Sequence, residues 1–130
     1  MFDYVERSGE DLGNEVKARL QVNLAHWLER CLGRQTLLSR KDRAIRVLEE
    51  AIELAQAAGI PRDKALEQLD HTYGRPKGRP YQEIAGVLNA TLLAAEAYGY
   101  DGLTLGLDEL ARAEEKIDLI REKNRTKVQA

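Results

Sequence analysis

At 130 residues the chain fits one domain, large enough to bury a core without disulfides or structural zinc. Its 20 basic and 22 acidic residues leave a formal charge of −2, which provides no global field for polymeric nucleic acid or an anionic membrane, so any phosphate binding must be local. Cys31 is the only cysteine, which excludes an intrachain disulfide and points to a reducing cytoplasm, where it reads as a small buried hydrophobe.

The polar, acidic stretch from Met1 to Asp11 has no basic segment followed by an apolar run, and no window approaches the roughly eighteen apolar residues of a membrane span. Neither a signal peptide nor a transmembrane helix is expected. Helical periodicity dominates the rest of the chain, and no segment alternates as a strand, which predicts an all-α domain: a compact bundle of four to six helices over residues 1–130, its core at about 12–124. The first helix runs from about Leu12 to Leu32, with Val16, Leu20, Leu24, Trp27, Leu28 and Cys31 as its apolar stripe and Gly33 as its stop. Ser39 or Asp42 caps the next, which buries Ile45, Leu48, Ile52 and Ala55 and ends at Gly59. Pro61 opens a short third helix at its first position, with Ala65, Leu66 and Leu69 apolar.

The stretch Tyr73-Gly74-Arg75-Pro76-Lys77-Gly78-Arg79-Pro80 cannot be regular helix, because it concentrates proline, glycine and cations. Beyond it a fourth helix spans Tyr81 to Ala97, with Ile84, Val87, Leu88, Leu92 and Ala95 at helical spacing, and Gly99 ends it. Asp101 caps a short turn before Gly106. Leu107 to Asn124 then reads as one final helix, with Leu110, Ala113, Ile117 and Ile120 inward.

The most unusual segment is Arg46-Val47-Leu48-Glu49-Glu50-Ala51-Ile52-Glu53-Leu54, which sets carboxylates inside an apolar helical pattern. Glu50 and Glu53 share a helix face with Cβ atoms about 5–6 Å apart, a spacing that repels without a cation and attracts around one. Antiparallel pairing with the fourth helix would add Glu83 and complete a three-carboxylate cluster. Such a cluster suits Mg²⁺, with Mn²⁺ as a possible substitute, and does not suit zinc, because His26 and His71 are far apart and no cysteine pair accompanies them. Both histidines read first as structural.

The order Arg43-x-x-Arg46-x-Leu48-Glu49-Glu50-x-x-Glu53-Leu54, followed about thirty residues later by Glu83, resembles the MazG-like all-α nucleoside triphosphate pyrophosphohydrolases. The loop Gly74-Arg75-Pro76-Lys77-Gly78 and the run Glu109-Leu110-Ala111-Arg112 with Lys116 and Arg121 are closer to a phage-associated branch of that superfamily. The likeness covers about Asn23 to Asn124. It implies Mg²⁺-dependent hydrolysis of a nucleoside triphosphate, canonical or modified, to monophosphate and pyrophosphate by a cytoplasmic homodimer or homotetramer. By position, Glu50, Glu53 and Glu83 would be metal ligands, and Glu50 with Glu49 would serve catalysis. Glu49 lies about 100° from Glu50 around the helix, which fits a water-orienting or outer role or none.

Arg75, Lys77 and Arg79 can reach β and γ phosphates, or merely keep a Gly/Pro loop solvated. Lys116 and Arg121 are further phosphate candidates on an ordinary charged face. Trp27 with Asn23 can stack on and read a base, although Trp27 also falls on the apolar stripe, which favours packing. One departure stands out: the superfamily's second motif is Glu-x-x-Asp, and here Gly86 occupies the fourth position, as it tends to in the phage-associated branch. The site is one acid short, so a MazG-like nucleotide-binding or regulatory protein without turnover is the alternative.

Overall fold

The computed structural model describes residues 9–130, with side chains from residue 19 onward. Among the described residues it is all-helical, with seven helices: α1 (Gly9–Leu32), α2 (Arg34–Leu38), α3 (Arg40–Ala57), α4 (Arg62–Tyr73), α5 (Pro80–Ala97), α6 (Gly102–Glu114) and α7 (Ile117–Asn124). That is more than the four to six expected, for two local reasons. The five-residue α2 lies where a loop was expected, after Gly33 turns the chain at φ 91°. The expected final helix is divided at Lys116, not opened at Gly106.

The described residues divide into two compact units, 9–39 with Leu103–Lys127, and Arg40–Gly102 with Val128–Ala130. In the first, α1 packs against α2 and α7. Its centre is Cys31, 4% exposed, whose thiol points to the carbonyl of Ile117 at 3.8 Å. Arg121 locks the junction: its Nε donates to the carbonyl of Cys31 at 2.8 Å and its Nη2 to that of Arg30 at 2.9 Å. These are the last carbonyls of α1, left without helical partners and carrying the negative end of its dipole, so a guanidinium is the natural cap. Seating Arg121 there explains the break before α7, since Lys116 (φ −124°, ψ 29°) leaves the helical region and redirects the chain. Gly106 stays helical, and a Cβ there would meet only Leu20 Cδ2, at 3.8 Å. Val16, placed on the apolar stripe, lies outside the residues whose side chains are described.

In the second unit the expected boundaries hold to within a residue, except that Pro61 sits one position earlier, as the N-cap of α4. Both α3 and α5 are 18 residues long and end in the same hydrogen-bonded turn. In α3 the amide of Gly59 bonds to Gln56 O at 3.1 Å and that of Ile60 to Ala55 O at 2.9 Å; in α5 Gly99 bonds to Glu96 O at 3.0 Å and Tyr100 to Ala95 O at 2.9 Å. This six-to-one, five-to-two pattern requires a left-handed residue, supplied by Gly59 at φ 85° and Gly99 at φ 76°.

Contact between helices in this unit joins α3 to α4, and Gly102 at the start of α6 lies against Leu92 and Ala95 of α5. The expected antiparallel pairing of α3 with α5 does not occur within one copy. The non-helical segment 74–79 can span up to about 20 Å, so nothing in the chain forces α5 back onto α3. No helix among the described residues is long and apolar enough to cross a membrane.

Burial holds the Cys31 thiol above its ordinary pKa, opposed by Arg121 and reinforced by Asp118. Because the folded value is the higher one, the stability conferred by the neutral thiol is intact below the ordinary value of 9.0 and is lost as pH rises through the folded one. Iodoacetamide labelling should therefore be slower than for the unfolded chain by about tenfold or more, and thermal stability should decline above that pH in wild type but less in Cys31→Ala. Gly59→Ala and Gly99→Ala should each cost about 1–2 kcal/mol in denaturant unfolding, whereas Gly86→Ala, in open space on a helix, should gain about 0.5–1 kcal/mol.

Candidate functional site

The acidic string falls on α3, as its periodicity requires, and the three glutamates are not equivalent. Glu49 is drawn to the shielded side, where its Oε2 accepts a 2.6 Å hydrogen bond from Arg46 Nη1, and the two side chains are only 28% and 18% exposed. Glu50 and Glu53 are exposed. The pair most able to meet a solvated cation is therefore Glu50 and Glu53, while Glu49 serves the helix by neutralising a half-buried guanidinium.

Behind this pair lies an unusually dense cationic turn. Arg43 and Arg46, three residues apart, are both half-buried, and Arg43 Nε and Arg46 Nη2 are buried without hydrogen-bond partners. Burial, with Arg46 adding repulsion, pulls the Arg43 pKa down against the attraction of Asp42. An orphaned buried N–H costs about 1–3 kcal/mol, so this end of α3 is held at some expense to stability.

Glu83 lies in the first turn of α5, after Arg79 at the N-cap and Pro80 at the first helical position. There its negative charge complements the helix dipole. Its carboxylate folds back over Gly78 so closely that a Cβ at Gly78 would collide with Oε1, and a glycine at that position keeps the approach open. Arg75, Lys77 and Arg79 are exposed along the same loop, framed by Tyr73 and Tyr81, 82% and 70% exposed. Loop cations, flanking aromatic rings and Glu83 are thus presented together at the head of α5.

The two acidic positions do not meet. Among the described residues no group of three or more His, Cys, Asp and Glu side chains is placed to hold a metal, and α3 makes no contact with α5 in one copy. Glu50 and Glu53 are one half of the expected ligand set and Glu83 is the other.

The remaining candidates belong to the first unit. Asn23 lines a cleft of about 270 Å³ between α1 and α6, together with His26, Arg30, Leu110 and Glu114, and the Arg30–Glu114 ion pair at 2.7 Å spans it. Sequence reading missed that pair, because 84 residues separate its members and no local pattern links them. Trp27 is not among the residues lining the cleft; it is half-buried on α1, with its indole N–H buried and without an acceptor. Arg121 is committed to capping α1, whereas Lys116 holds the N-cap position of α7 through its backbone alone, with no capping bond from its side chain.

Replacing Glu49 and Glu50 should separate structure from chemistry. Glu49→Gln removes the counter-charge of Arg46 and should lower stability by about 1–3 kcal/mol in chemical denaturation, while Glu50→Gln, at a more exposed position, should cost less. No protein-family model matches the chain, and no curated protein or solved structure is similar to it.

Proposed function

We propose that the chain is a MazG-like, Mg²⁺-dependent nucleotide pyrophosphohydrolase of the phage-associated kind, acting in the cytoplasm as a homo-oligomer on a canonical or modified nucleoside triphosphate and releasing monophosphate and pyrophosphate. The observation that carries this reading is the division of labour in the second unit. Glu50 and Glu53 stand exposed on α3, while Glu83 heads α5 and lies against Gly78 of the loop that carries the exposed cations Arg75, Lys77 and Arg79. Carboxylates that hold a hard cation next to guanidinium and ammonium groups that hold phosphates are the two requirements for in-line attack of water on a phosphoanhydride. Mg²⁺ suits a sparse set of this kind because it keeps several waters and completes its shell with substrate oxygens. Mn²⁺ can substitute for it. In this reading Glu50 and Glu53 hold the metal from one side and Glu83 from the other, and Arg75, Lys77 and Arg79 take the β and γ phosphates.

Gly86 favours a second reading, in which the site binds nucleotide without turning it over. Nothing lies within 4 Å of a Cβ built at Gly86, so the position has room for a side chain and lacks the carboxylate. A site one acid short holds its metal weakly and positions the attacking water poorly.

The experiment is pyrophosphate release from a panel of canonical and modified triphosphates in Mg²⁺, with binding followed by thermal shift. Turnover is expected, lowered at least about tenfold by Glu50→Gln and raised by Gly86→Asp, which fits the open space and restores the missing acid. Thermal stabilisation by nucleotide with no release in wild type, and release gained in Gly86→Asp, would instead support the binder. If nucleotide with Mg²⁺ at about a hundredfold above a millimolar Kd raised stability by none of the roughly 2.7 kcal/mol that linkage requires, both readings would fall.

A further inference from the structure

Tyr73 and Tyr81 stand at the two ends of the cationic loop, 82% and 70% exposed. Tyr73 is the last residue of α4 and Tyr81 the second of α5, so each ring is rooted in a helix and the loop runs between them. A tyrosine has about 150–250 Å² to bury, and the packing of this unit uses little of either ring. Among the described residues neither hydroxyl enters a hydrogen bond, and Arg75, Lys77 and Arg79 form no ion pair. Pro76 and Pro80 hold the residues before them, Arg75 and Arg79, to extended backbone, and Arg79 adopts φ −99°, ψ 136°. A loop restrained in this way has less freedom to lose when a ligand binds.

We infer that Tyr73 and Tyr81 take the base of the nucleotide by stacking, an inference that rests on the phosphate and metal roles proposed above. Each ring is two residues from a cation, Arg75 or Arg79, and two residues of chain span at most about 7 Å. One ligand therefore reaches both a ring and a cation. Stacking engages the π face that every base carries and not its hydrogen-bonding edge. The substrate class is a purine nucleoside triphosphate, whose larger ring system stacks more strongly than a pyrimidine, with little separation of adenine from guanine.

Two other exposed tyrosines supply the contrast. Tyr98 and Tyr100 are 58% and 57% exposed around the turn that ends α5. The chain has no Lys or Arg between Arg79 and Arg112, and Glu96 and Asp101 flank that turn. This pair lies at the negative end of the α5 dipole, whereas Tyr81 lies at the positive end, which favours phosphate. Aromatic rings and free cations coincide only at the head of α5.

The test is calorimetry in Mg²⁺ with two ligands: the α,β-methylene analogue of ATP, whose P–C bond resists the proposed cleavage, and inorganic tripolyphosphate, which offers phosphates and no base. In Tyr73→Leu/Tyr81→Leu the affinity for the ATP analogue should fall at least about fivefold, with loss of the hypochromism that stacking gives adenine, and that for tripolyphosphate should stay within about twofold. Tyr73→Phe/Tyr81→Phe and Tyr98→Leu/Tyr100→Leu should bind both ligands as wild type does. The GTP analogue should match the ATP analogue within about twofold, and the CTP analogue should bind more weakly. Unchanged affinity for the ATP analogue in Tyr73→Leu/Tyr81→Leu, or an equal fall for tripolyphosphate, would overturn the stacking role and leave the metal and phosphate roles standing. A CTP analogue bound as tightly as the purines would overturn the substrate class. Binding of neither ligand by wild type would overturn the stacking role together with the site it rests on. Tighter binding of a single-stranded oligothymidylate than of the ATP analogue would overturn it in favour of a loop that holds polymers.

Discussion

The apolar stripe of each helix has to be removed from water, and among the described residues one copy of this chain achieves that at a single side chain, Cys31. The first unit is organised around that point. Arg121 reaches the open carbonyls of α1 from more than eighty residues away in sequence, and the thiol beside it contacts α7. Removing the last carbonyls of α1 from water requires a donor, and the guanidinium supplies two N–H groups in the planar arrangement that two successive carbonyls present. The break at Lys116 and the seating of α7 result from that requirement.

The second unit has no equivalent centre. Its helices are well formed locally, with a proline start at α5 and glycine stops at α3 and α5, yet α5 meets little more than Gly102 at the start of α6. Local hydrogen bonding therefore shapes this half of the chain, which leaves much of its apolar surface exposed.

The same open arrangement bears on the acidic residues. Three glutamates within five positions of α3 read alike as letters, but a helix turns about 100° per residue, and Arg46 captures Glu49 while Glu50 and Glu53 face solvent. Glu83 stands on a separate helix beside a loop of cations, where Gly78 admits its carboxylate. In the proposed function the acidic helix and the cationic loop belong to one site, and their helices do not touch within a copy.

By itself the sequence determined the all-α class, the positions of the helices from α3 to α5, the stops at Gly33, Gly59 and Gly99, and the burial of Cys31. Each depends on interactions within a few residues: helical periodicity, the fixed φ of proline, and the left-handed conformations that glycine adopts. It did not determine α2, the division of the last helix at Lys116, the capping role of Arg121, the Arg30–Glu114 pair, or the separation of α3 from α5. Those are contacts, or missing contacts, between residues distant in the chain, and helical spacing carries no information about which face meets which. Glu50, Glu53 and Glu83 could be placed on their helices from the sequence, but only the tertiary structure decided that one copy keeps the two helices apart, because a six-residue loop allows that separation and no contact within the copy opposes it.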